Sequence, residues 1–256
     1  MTVPTIDATG VAVIIPALNE EQALPHVLDA LPCPTRIVTV VDNGSTDRTA
    51  AIAAERGARV VAEPRRGYGR ACLAGIAANR DADVLVFLDA DFSDHPEVLP
   101  LVLGPVQART ADLVMGVRHG EGRPWHANLG TSVCLAAINL VWGTRYRDLG
   151  PFRAIRREAL DSLAMEDETW GWTIEMQVKA AEAGLRTLEI DVPYRDRIGQ
   201  SKISGTVSGT VRAGSRMLLM IGRLAATRGR RRYPDLSGAS ARAAQVRTGR
   251  DPATRS

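Results

Sequence analysis

The feature that most constrains the fold is an alternation, repeated three times in the first 90 residues, of short apolar runs and segments with helical spacing. The predicted strands cover residues 11–16, 36–41, 59–62 and 83–88, and the predicted helices between them cover 20–31, 46–56 and 68–79. β-Branched runs such as VAVIIP are typical of strands that are buried on both faces. Three βα repeats in so short a stretch indicate an α/β fold with a parallel, doubly wound sheet.

The second half of the chain alternates less regularly. Further helices are predicted over 96–107, 126–141 and 173–183, and further strands over 112–117, 152–155 and 185–192. After a domain of residues 1–204, the spacing predicts an amphipathic helix over 205–227. Residues 228–256 contain almost no large apolar side chain. They cannot bury enough surface to offset the entropy of ordering, so we predict a disordered tail there.

The positive charge of the chain is concentrated in this tail. The net charge is +3, and eight arginines lie within 228–256 against only Asp235 and Asp251. The domain before the tail is near neutral or slightly acidic, so the high isoelectric point does not indicate a nucleic-acid partner. Three separated cysteines without a CxxC pattern fit a reducing compartment. We find no signal-peptide pattern and no apolar run of about 18 residues, so we expect a cytoplasmic location.

Polar and acidic residues stand where three of the predicted strands end. Residues 16–20 (PALNE) close the first strand, residues 42–47 (DNGSTD) follow the second and residues 89–91 (DAD) follow the fourth. In an open parallel sheet, ligands bind outside the carboxyl ends of the strands. One acid at such a position commonly caps a helix, and this alternative stays open for Asp42. Several like charges at one edge are costly without a cation, so together they favour a binding site.

Asp89 and Asp91 form the most specific of these patterns. A buried strand that ends in Asp-x-Asp places two carboxylates on a short turn. Hard oxygen ligands of this kind suit Mg²⁺ or Mn²⁺, which complete their coordination with water and phosphate oxygens. The alternative is that both side chains cap the next turn. Their position after the fourth strand of a βα series favours the metal-binding interpretation.

The segment 42–47 is the second element. The Asn-Gly pair at 43–44 predicts a tight turn, and Ser45 or Thr46 then begins the helix. Asp42 at the strand tip is placed to accept hydrogen bonds from a base or a ribose. The chain has no GxGxxG after the first strand and no GxxxxGK[ST]. These two absences count against an NAD-dependent dehydrogenase and against a P-loop NTPase.

Four segments of the first 200 residues carry a resemblance to a known family: VAVIIPALNEE, VVDNGSTDRT, GYGRACLAGI and FLDADFSDHPE. The chain resembles the family 2 glycosyltransferases, and the resemblance implies their GT-A fold, a Rossmann-like mixed sheet with helices on both faces. Within that family it is most similar to the dolichyl-phosphate mannose synthase-like transferases, which move a sugar to a polyprenyl phosphate. The segments DLGPFRAIRREAL and RIGQSK resemble the SGFR and GxSK patterns of that group.

The resemblance implies a set of donor-binding residues. The donor would be a nucleotide sugar. Pro16, Leu18 and Glu20 are expected to line its base and ribose, and Asp42 is expected to contact the base. This assignment agrees with the position of these residues at the ends of the first two predicted strands.

The resemblance also implies a cofactor and catalytic residues. Asp89 and Asp91 are expected to bind Mg²⁺ or Mn²⁺ at the donor diphosphate. Arg197 and Lys202 of RIGQSK are expected to reach the donor phosphates and to act in catalysis together with Asp91. The leaving nucleoside diphosphate gains negative charge, and a metal with cations stabilises that charge. The alternative for Arg197 and Lys202 is a solvated basic loop.

Because the chain departs from the family pattern at some positions, the third metal ligand and the acceptor are not defined. Ser93, Asp94 or water alone are the candidates for a third metal ligand. Gly150 stands where the group has serine, so the contact with the acceptor is not defined. The membrane-spanning tail helices of some relatives have no counterpart, so the acceptor is either a polyprenyl phosphate or another group.

Glu175 is the candidate general base for a hydroxyl acceptor. The alternative is a structural acid that pairs with Arg153 or Arg156. The neighbouring Trp170 and Trp172 are either a wall on which a sugar stacks or residues of the core.

Together these residues predict an inverting glycosyltransferase, as the family resemblance implies, that moves a hexose from a nucleotide sugar to an acceptor. A polyprenyl phosphate is already anionic and needs no general base, whereas a hydroxyl acceptor needs one, so both acceptors stay open. A nucleotidyltransferase would carry a Gly-rich basic loop after the first strand, where this chain is acidic. A nucleotide-sugar-binding protein without transfer activity is the remaining alternative.

The predicted helix 205–227 adds an expectation about location. Its large apolar side chains fall mainly on one side and are Val207, Val211, Met217, Leu218, Ile221 and Leu224. Arginines lie near the borders of that side, and more follow the helix. An amphipathic helix flanked by arginines binds the interface of an anionic bilayer. We therefore expect peripheral association with the inner face of the membrane, near a lipid-phosphate acceptor. The alternative is that the apolar side packs on the domain.

Overall fold

The computed structural model describes residues 6–120, 125–199 and 207–234. They form a seven-stranded sheet with a layer of helices on each face. The strands are β1 (Val11–Ala17), β2 (Val38–Asp42), β3 (Arg59–Ala62), β4 (Val84–Phe87), β5 (Leu113–His119), β6 (Arg153–Arg156) and β7 (Thr187–Pro193). The helices are α1 (Leu24–Ala30), α2 (Thr49–Glu55), α3 (Tyr68–Ala78), α4 (Leu99–Gln107), α5 (Trp125–Trp142), α6 (Arg157–Leu163), α7 (Trp172–Glu182) and α8 (Val207–Ala226).

The strand order in the sheet is β3-β2-β1-β4-β6-β5-β7. β1 pairs in parallel with β2 and β4, and β2 pairs in parallel with β3, as predicted from the βα repeats. β6 is antiparallel to its neighbours β4 and β5, while β7 is parallel to β5. The sheet is therefore mixed, which confirms the predicted GT-A-like fold class. The carboxyl ends of β1, β2 and β4 meet at one edge of it.

β1 is buried along its whole length and separates the two layers of the core. Val13 and Ile15 belong to a layer with α1, α2 and α4. Ile14 belongs to the opposite layer, with α3, α5, α6 and α7. Successive side chains of a strand point to opposite faces, so a strand covered on both faces must be apolar throughout.

The loops after β1 and β2 extend further than the sequence pattern predicts. α1 begins at Leu24 and α2 at Thr49, each later than its predicted start. Side chains of the second loop accept hydrogen bonds from the backbone of the first. The N–H of Asn19 donates to Ser45 (2.9 Å) and that of Glu20 donates to Thr49 (2.8 Å). Short polar side chains compete in this way with helix formation, which delays both helices.

α8 lies against α5 and α7. Ile221 and Leu224 are buried in this contact, and Met217 packs at its border. Among the described side chains, the C-terminal part of the predicted apolar side therefore packs on the domain, which is the alternative stated above. Leu218, predicted on that side, is exposed, and so is Leu219. None of the described helices is long and apolar enough to cross a bilayer.

Residues 228–234 continue from α8 across the domain. Arg231 forms two contacts of 2.8 Å with the carboxylate of Glu182 on α7, and the Tyr233 hydroxyl donates to the same carboxylate at 3.0 Å. The indole N–H of Trp142 on α5 also donates to it, at 2.8 Å. The predicted disordered tail is thus packed as far as Pro234. The prediction of disorder for 235–256 falls outside the described residues.

Candidate functional site

A cavity of about 390 Å³ opens at the carboxyl ends of β1 and β4. Its walls come from the loops after β1, β2 and β4, the start of α3, and single residues before α7 and after β7. The lining residues are Pro16, Ala17, Leu18, Asn19, Glu20, Asn43, Arg66, Gly67, Tyr68, Ala71, Asp89, Ala90, Asp91, Trp170 and Arg197. The cavity lies where open α/β sheets bind their ligands.

Six of the predicted site residues meet in this cavity, namely Pro16, Leu18, Glu20, Asp89, Asp91 and Arg197. Asp42 and Glu175 are not part of its lining, and Lys202 lies outside the described residues. The structure thus brings together side chains that are up to 181 residues apart in the sequence. Their individual roles in binding and catalysis stay predictions.

Asp91 is 6% exposed, and both of its carboxylate oxygens have partners. Oδ1 accepts hydrogen bonds from the backbone N–H (2.9 Å) and the hydroxyl (2.6 Å) of Ser93. Oδ2 lies 2.7 Å from Nη2 of Arg197, and the same nitrogen lies 3.7 Å from Oε1 of Glu20. Arg197 therefore joins two acidic residues that follow different strands.

The segment after β7 carries Arg197 to this position because it runs along the loop after β4. Tyr194 forms a β-bridge with Asp94, and the N–H of Arg195 donates to the carbonyl of Ser93 at 3.0 Å. The N–H of Ile198 donates to the carbonyl of Asp91, also at 3.0 Å. Backbone hydrogen bonds on both sides of Arg197 thus fix its side chain beside Asp91.

Asp89, Asp91 and Asp94 form a group of acids that the chain compensates only in part. Burial, together with the charges of Asp91 and Asp94, holds the pKa of Asp89 well above its usual range. Burial also raises the pKa of Asp94 to about 7; the charge of Arg118 opposes this effect and that of Asp91 adds to it. Within the described chain, neither oxygen of the Asp94 carboxylate has a hydrogen-bond partner. Such a group of like charges calls for a compensating cation.

This set of ligands fits Mg²⁺ or Mn²⁺. Both ions prefer carboxylate oxygens, and Mg²⁺ is commonly bound by one or two carboxylates together with phosphate oxygens of the substrate. Asp89 and Asp91 would supply the two carboxylates, and Asp94 lies near them. The described residues hold no group of three His, Cys, Asp or Glu side chains arranged around a metal position. Phosphate oxygens and water would therefore complete the coordination.

Asp42 caps the turn after β2, which is the alternative left open for it, and Asn43 has a role in the loop that the sequence pattern does not reveal. Oδ1 of Asp42 accepts a hydrogen bond from the N–H of Ser45 at 3.0 Å, as an acid that caps a turn does. Asn43 lines the cavity instead, and its amide donates to the carbonyls of Glu63 and Arg65, both at 2.9 Å. Its oxygen accepts from the N–H of Gly67 at 2.8 Å. The contact of Asp42 with a base stays a prediction.

Glu175 is 3% exposed and lies on α7, away from the cavity lining. It forms an ion pair of 2.7 Å with Lys179 and accepts hydrogen bonds from the N–H groups of Glu166 and Asp167. These contacts agree with the alternative that Glu175 is a structural acid. Its ion-pair partner, however, is Lys179 and not Arg153 or Arg156. The spacing of four residues between Glu175 and Lys179 is the signal that predicts this pair.

Trp170 and Trp172 have different environments. Trp172 is fully buried on α7 and contacts Phe87 edge-on, with ring centroids 4.6 Å apart. Trp170 is half-buried and lines the cavity, and its ring is stacked with that of Tyr68 at 6.2 Å between centroids. Trp172 is thus a core residue, whereas Trp170 lies where a ligand can contact its ring.

These features define an α/β protein with a ligand cavity at the carboxyl edge of its sheet, bordered by paired carboxylates and an arginine. The chain belongs to glycosyl transferase family 2, whose sequence profile matches residues 12–163. This region runs from β1 through α6 and contains both Asp89 and Asp91. Trp170 and Arg197 lie beyond it.

Characterised and uncharacterised relatives are similar over most of the chain. An uncharacterized glycosyltransferase of Mycobacterium tuberculosis is 42% identical, with 79% of this chain and 93% of that protein aligned. The undecaprenyl-phosphate mannosyltransferase of Micrococcus luteus is 34% identical, with 78% of this chain and 89% of that protein aligned. The predicted resemblance to polyprenyl-phosphate sugar transferases is thereby confirmed.

A solved structure of similar fold contains ligands of the predicted kind. It is glucosyl-3-phosphoglycerate synthase from Mycobacterium tuberculosis in complex with Mn²⁺, uridine-diphosphate-glucose and phosphoglyceric acid. It matches with a TM-score of 0.71 and 25% identity, and the match covers 84% of this chain and 79% of that chain. A neighbour in fold therefore binds a divalent metal together with a nucleotide sugar.

Proposed function

We propose that this protein transfers a hexose from a nucleoside diphosphate sugar to a polyprenyl phosphate, with inversion at the anomeric carbon. The observation that carries the proposal is the cavity in which Asp89, Asp91 and Arg197 meet beside Glu20. It occurs in a family 2 glycosyltransferase that is 34% identical to an undecaprenyl-phosphate mannosyltransferase. Paired carboxylates beside a guanidinium suit a metal-bound diphosphate.

On the donor side, Asp89 and Asp91 would hold Mg²⁺ or Mn²⁺, which stabilises the charge of the leaving diphosphate when it is bound. Arg197 contributes a planar guanidinium whose N–H groups suit phosphate oxygens. The remaining donor contacts in the proposal are Lys202 at the phosphates and Pro16, Leu18, Glu20 and Asp42 at the base and ribose.

The choice between a phosphate and a hydroxyl acceptor depends on whether the predicted general base is placed to accept a proton. A hydroxyl acceptor needs a general base, whereas a phosphate is already anionic. Glu175, the predicted base, is engaged by Lys179 and by backbone N–H groups, and it does not line the cavity. This arrangement favours a phosphate acceptor. A hydroxyl acceptor is the second candidate, because the neighbour in fold was crystallised with phosphoglyceric acid.

We also propose that the protein reaches a lipid acceptor through a surface of α5 and α8, named here the α5–α8 surface. On α8 the exposed Leu218 and Leu219 lie between Arg216 and Arg223, and on α5 Leu140 is 86% exposed. Exposed leucines among arginines suit the interface of an anionic bilayer. Of the predicted apolar side of α8, Leu218 belongs to this surface, whereas Ile221 and Leu224 pack on the domain.

Transfer of labelled sugar to lipid tests the proposal. The purified protein is incubated with undecaprenyl phosphate, Mn²⁺ and radiolabelled UDP-glucose or GDP-mannose, and the product is extracted into organic solvent. We expect a labelled lipid that forms with Mn²⁺ and is absent when EDTA is added. Lys202→Ala should slow this transfer more than it weakens binding of the free nucleoside.

Phosphoglycerate in place of the lipid is the matched control acceptor. Transfer to phosphoglycerate and none to the lipid would replace the proposed acceptor by a hydroxyl. Binding of the nucleotide sugar without transfer to either acceptor would indicate a binding protein and would contradict the proposal.

A further inference from the structure

Residues 164–171, named here the Trp170 loop, connect α6 to α7 and lie between α7 and the first turn of α3. The loop is held from both sides by hydrogen bonds to its backbone. Its last side chain before Gly171 is Trp170, which lines the cavity together with Asp89 and Asp91. The position of a cavity wall therefore depends on what fixes this loop.

On the α7 side, a buried ion pair binds the backbone of the loop. The carboxylate of Glu175 accepts hydrogen bonds from the N–H groups of Glu166 (3.1 Å) and Asp167 (2.8 Å). Lys179 lies 2.7 Å from Glu175, and its ammonium group donates to the carbonyl of Ala164 at 2.6 Å. Both charges are thus used to hold main-chain groups, which is a stronger restraint than neutral hydrogen bonds give.

On the α3 side, the loop caps the start of the helix. The carbonyl of Thr169 accepts from the N–H of Gly69 at 3.0 Å, and that of Glu168 accepts from the N–H of Arg70 at 3.1 Å. Arg70 also forms an ion pair with Glu168. A Cβ atom at Gly67 or Gly69 would overlap the loop carbonyls, so two glycines are needed for this close approach.

At the tip of this assembly, Trp170 and Tyr68 form an aromatic wall of the cavity. Their rings are stacked at 6.2 Å with an angle of 26° between the planes. The same cavity is lined by Asp89 and Asp91, so this wall faces the space beside the paired carboxylates. Aromatic rings that line a cavity commonly supply the apolar contact area for a ligand.

We infer that Trp170 contacts the bound nucleotide sugar and that Glu175, with Lys179, is the residue that positions it. The inference rests on the proposed function and extends it, because it assigns a donor contact to Trp170, for which the sequence left two alternatives, and a positioning role to Glu175. Among the described residues, the carboxylate of Glu175 has hydrogen bonds and an ion pair only with the loop and Lys179, so it acts through the backbone of residues 166 and 167. It is a positioning residue and has no role in proton transfer.

Tryptophan fluorescence tests the contact. The chain has four tryptophans, and binding of UDP-glucose or GDP-mannose with Mn²⁺ should change the emission of the wild-type protein. Trp170→Phe should lose most of this change, although three tryptophans remain. In transfer assays, Trp170→Ala should raise the KM for the donor about tenfold, with a smaller effect on kcat.

A double variant tests the positioning role. Glu175→Gln with Lys179→Met removes both charges at similar volume, and replacement of a whole buried ion pair commonly preserves the fold. We expect a cooperative thermal transition, a donor KM about fivefold higher and a weaker fluorescence change. Glu175→Asp keeps the charge but shortens the side chain, and it should shift KM in the same direction by less.

Asp112→Asn is the matched control, because Asp112 is also a buried acid with ion pairs but lies away from the cavity. It should leave the donor KM unchanged. A wild-type KM and fluorescence change in the folded double variant and in Glu175→Asp would overturn the positioning role. Wild-type behaviour of both Trp170 variants would overturn the contact. If the wild-type protein bound neither nucleotide sugar, the proposed function itself would fail.

Discussion

Buried acids lie at both ends of the sheet, and their surroundings differ. At the carboxyl ends of β1 and β4, Asp89, Asp91 and Asp94 lie near one another, and the Asp94 carboxylate has no hydrogen-bond partner within the described chain. At the opposite end, Asp112 at the start of β5 lies 2.6 Å from a guanidinium nitrogen of Arg156 and 2.7 Å from one of Arg186.

The pKa values follow the same contrast. Burial acts to raise the pKa of Asp112, but hydrogen bonds from the side chain and backbone of Arg186 and the charge of Arg156 bring it below its usual range. Burial and like charges raise the pKa of Asp89 instead. Asp112 is buried and Asp89 is half-buried at the cavity, and the two acids differ in whether the chain itself supplies the compensating cations.

This difference separates a structural cluster from a binding site. A buried acid that is fully paired stabilises the fold and has nothing left to bind. A group of acids that the chain leaves only partly compensated lowers the stability of the free protein and gives a cation or a metal-bound ligand something to bind. The contrast predicts opposite outcomes for equivalent substitutions at the two ends.

The largest effect is expected for Asp89→Asn. The substitution removes one of the two carboxylates proposed to hold the metal, and sugar transfer should fall about 10²–10³-fold. The stability of the metal-free protein should not fall, because the substitution removes a carboxyl group that lies among like charges. Transfer rates with Mn²⁺ and urea unfolding without metal check both parts. A variant with transfer within twofold of wild type would remove Asp89 from the metal site.

Asp112→Ala should give the reverse result. Removal of this carboxylate leaves the buried guanidinium of Arg156 with only one of its two ion-pair partners, the half-exposed Glu158, so the free energy of unfolding should drop by about 3 kcal/mol. Transfer activity per folded molecule should stay at the wild-type value, because Asp112 lies at the far end of the sheet from the cavity. Urea unfolding and active-site titration measure the two quantities. A loss of activity without a loss of stability would contradict the proposed difference between the structural cluster around Asp112 and the binding site.

The sequence predicts those features of the fold and the site that depend on short segments of the chain. Buried strands have β-branched runs, and the acids that follow β1 and β4 reach one cavity because parallel strands end at one edge. The positions of Asp89 and Asp91 at the cavity can be predicted from that rule alone. The position of Arg197 depends on the segment after β7, so it was predicted from the family resemblance and not from the spacing of residues.

The parts that the sequence does not predict depend on contacts between distant residues. The short helix α6 and the antiparallel direction of β6 have no periodic signal of their own. The late starts of α1 and α2 come from hydrogen bonds between two loops. The packing of residues 228–234 depends on Glu182, whose carboxylate collects donors from three separate segments.

The pH dependence of stability sharpens the comparison with a smaller effect. A carboxyl whose pKa is lowered by folding contributes stability above its unfolded pKa, about 4 for Asp, and loses it as the pH falls through the folded pKa. Wild type should therefore be more stable than Asp112→Asn at pH 7 and pH 5. Below about pH 4 the difference should shrink, by at most about 1.4 kcal/mol per pH unit. A difference that is constant from pH 7 to pH 3 would mean that packing, and not charge, accounts for it.

The smallest effect concerns arginines, for which the same distinction applies. Arg231 is compensated by Glu182, whereas Arg216 and Arg223 of α8 have no ion pair among the described residues. By the argument used for the acids, Arg231 is structural and the other two are available to an anionic partner. Each charge near an anionic bilayer contributes about 1 kcal/mol, so replacing both with Gln should weaken binding to anionic vesicles about tenfold or more.

Flotation with phosphatidylglycerol vesicles at low and high salt measures this binding. Leu219→Asp on the α5–α8 surface should also weaken it, because an exposed leucine no longer enters the interface. Leu101→Asp is the matched control, since Leu101 is a similarly exposed leucine on α4, in the opposite layer of the domain. It should bind vesicles like wild type. Equal loss from Leu101→Asp and Leu219→Asp would show that binding has no preferred face. Wild-type protein that stays unbound at low salt would exclude the α5–α8 surface as a membrane contact and would weaken the case for a lipid-phosphate acceptor.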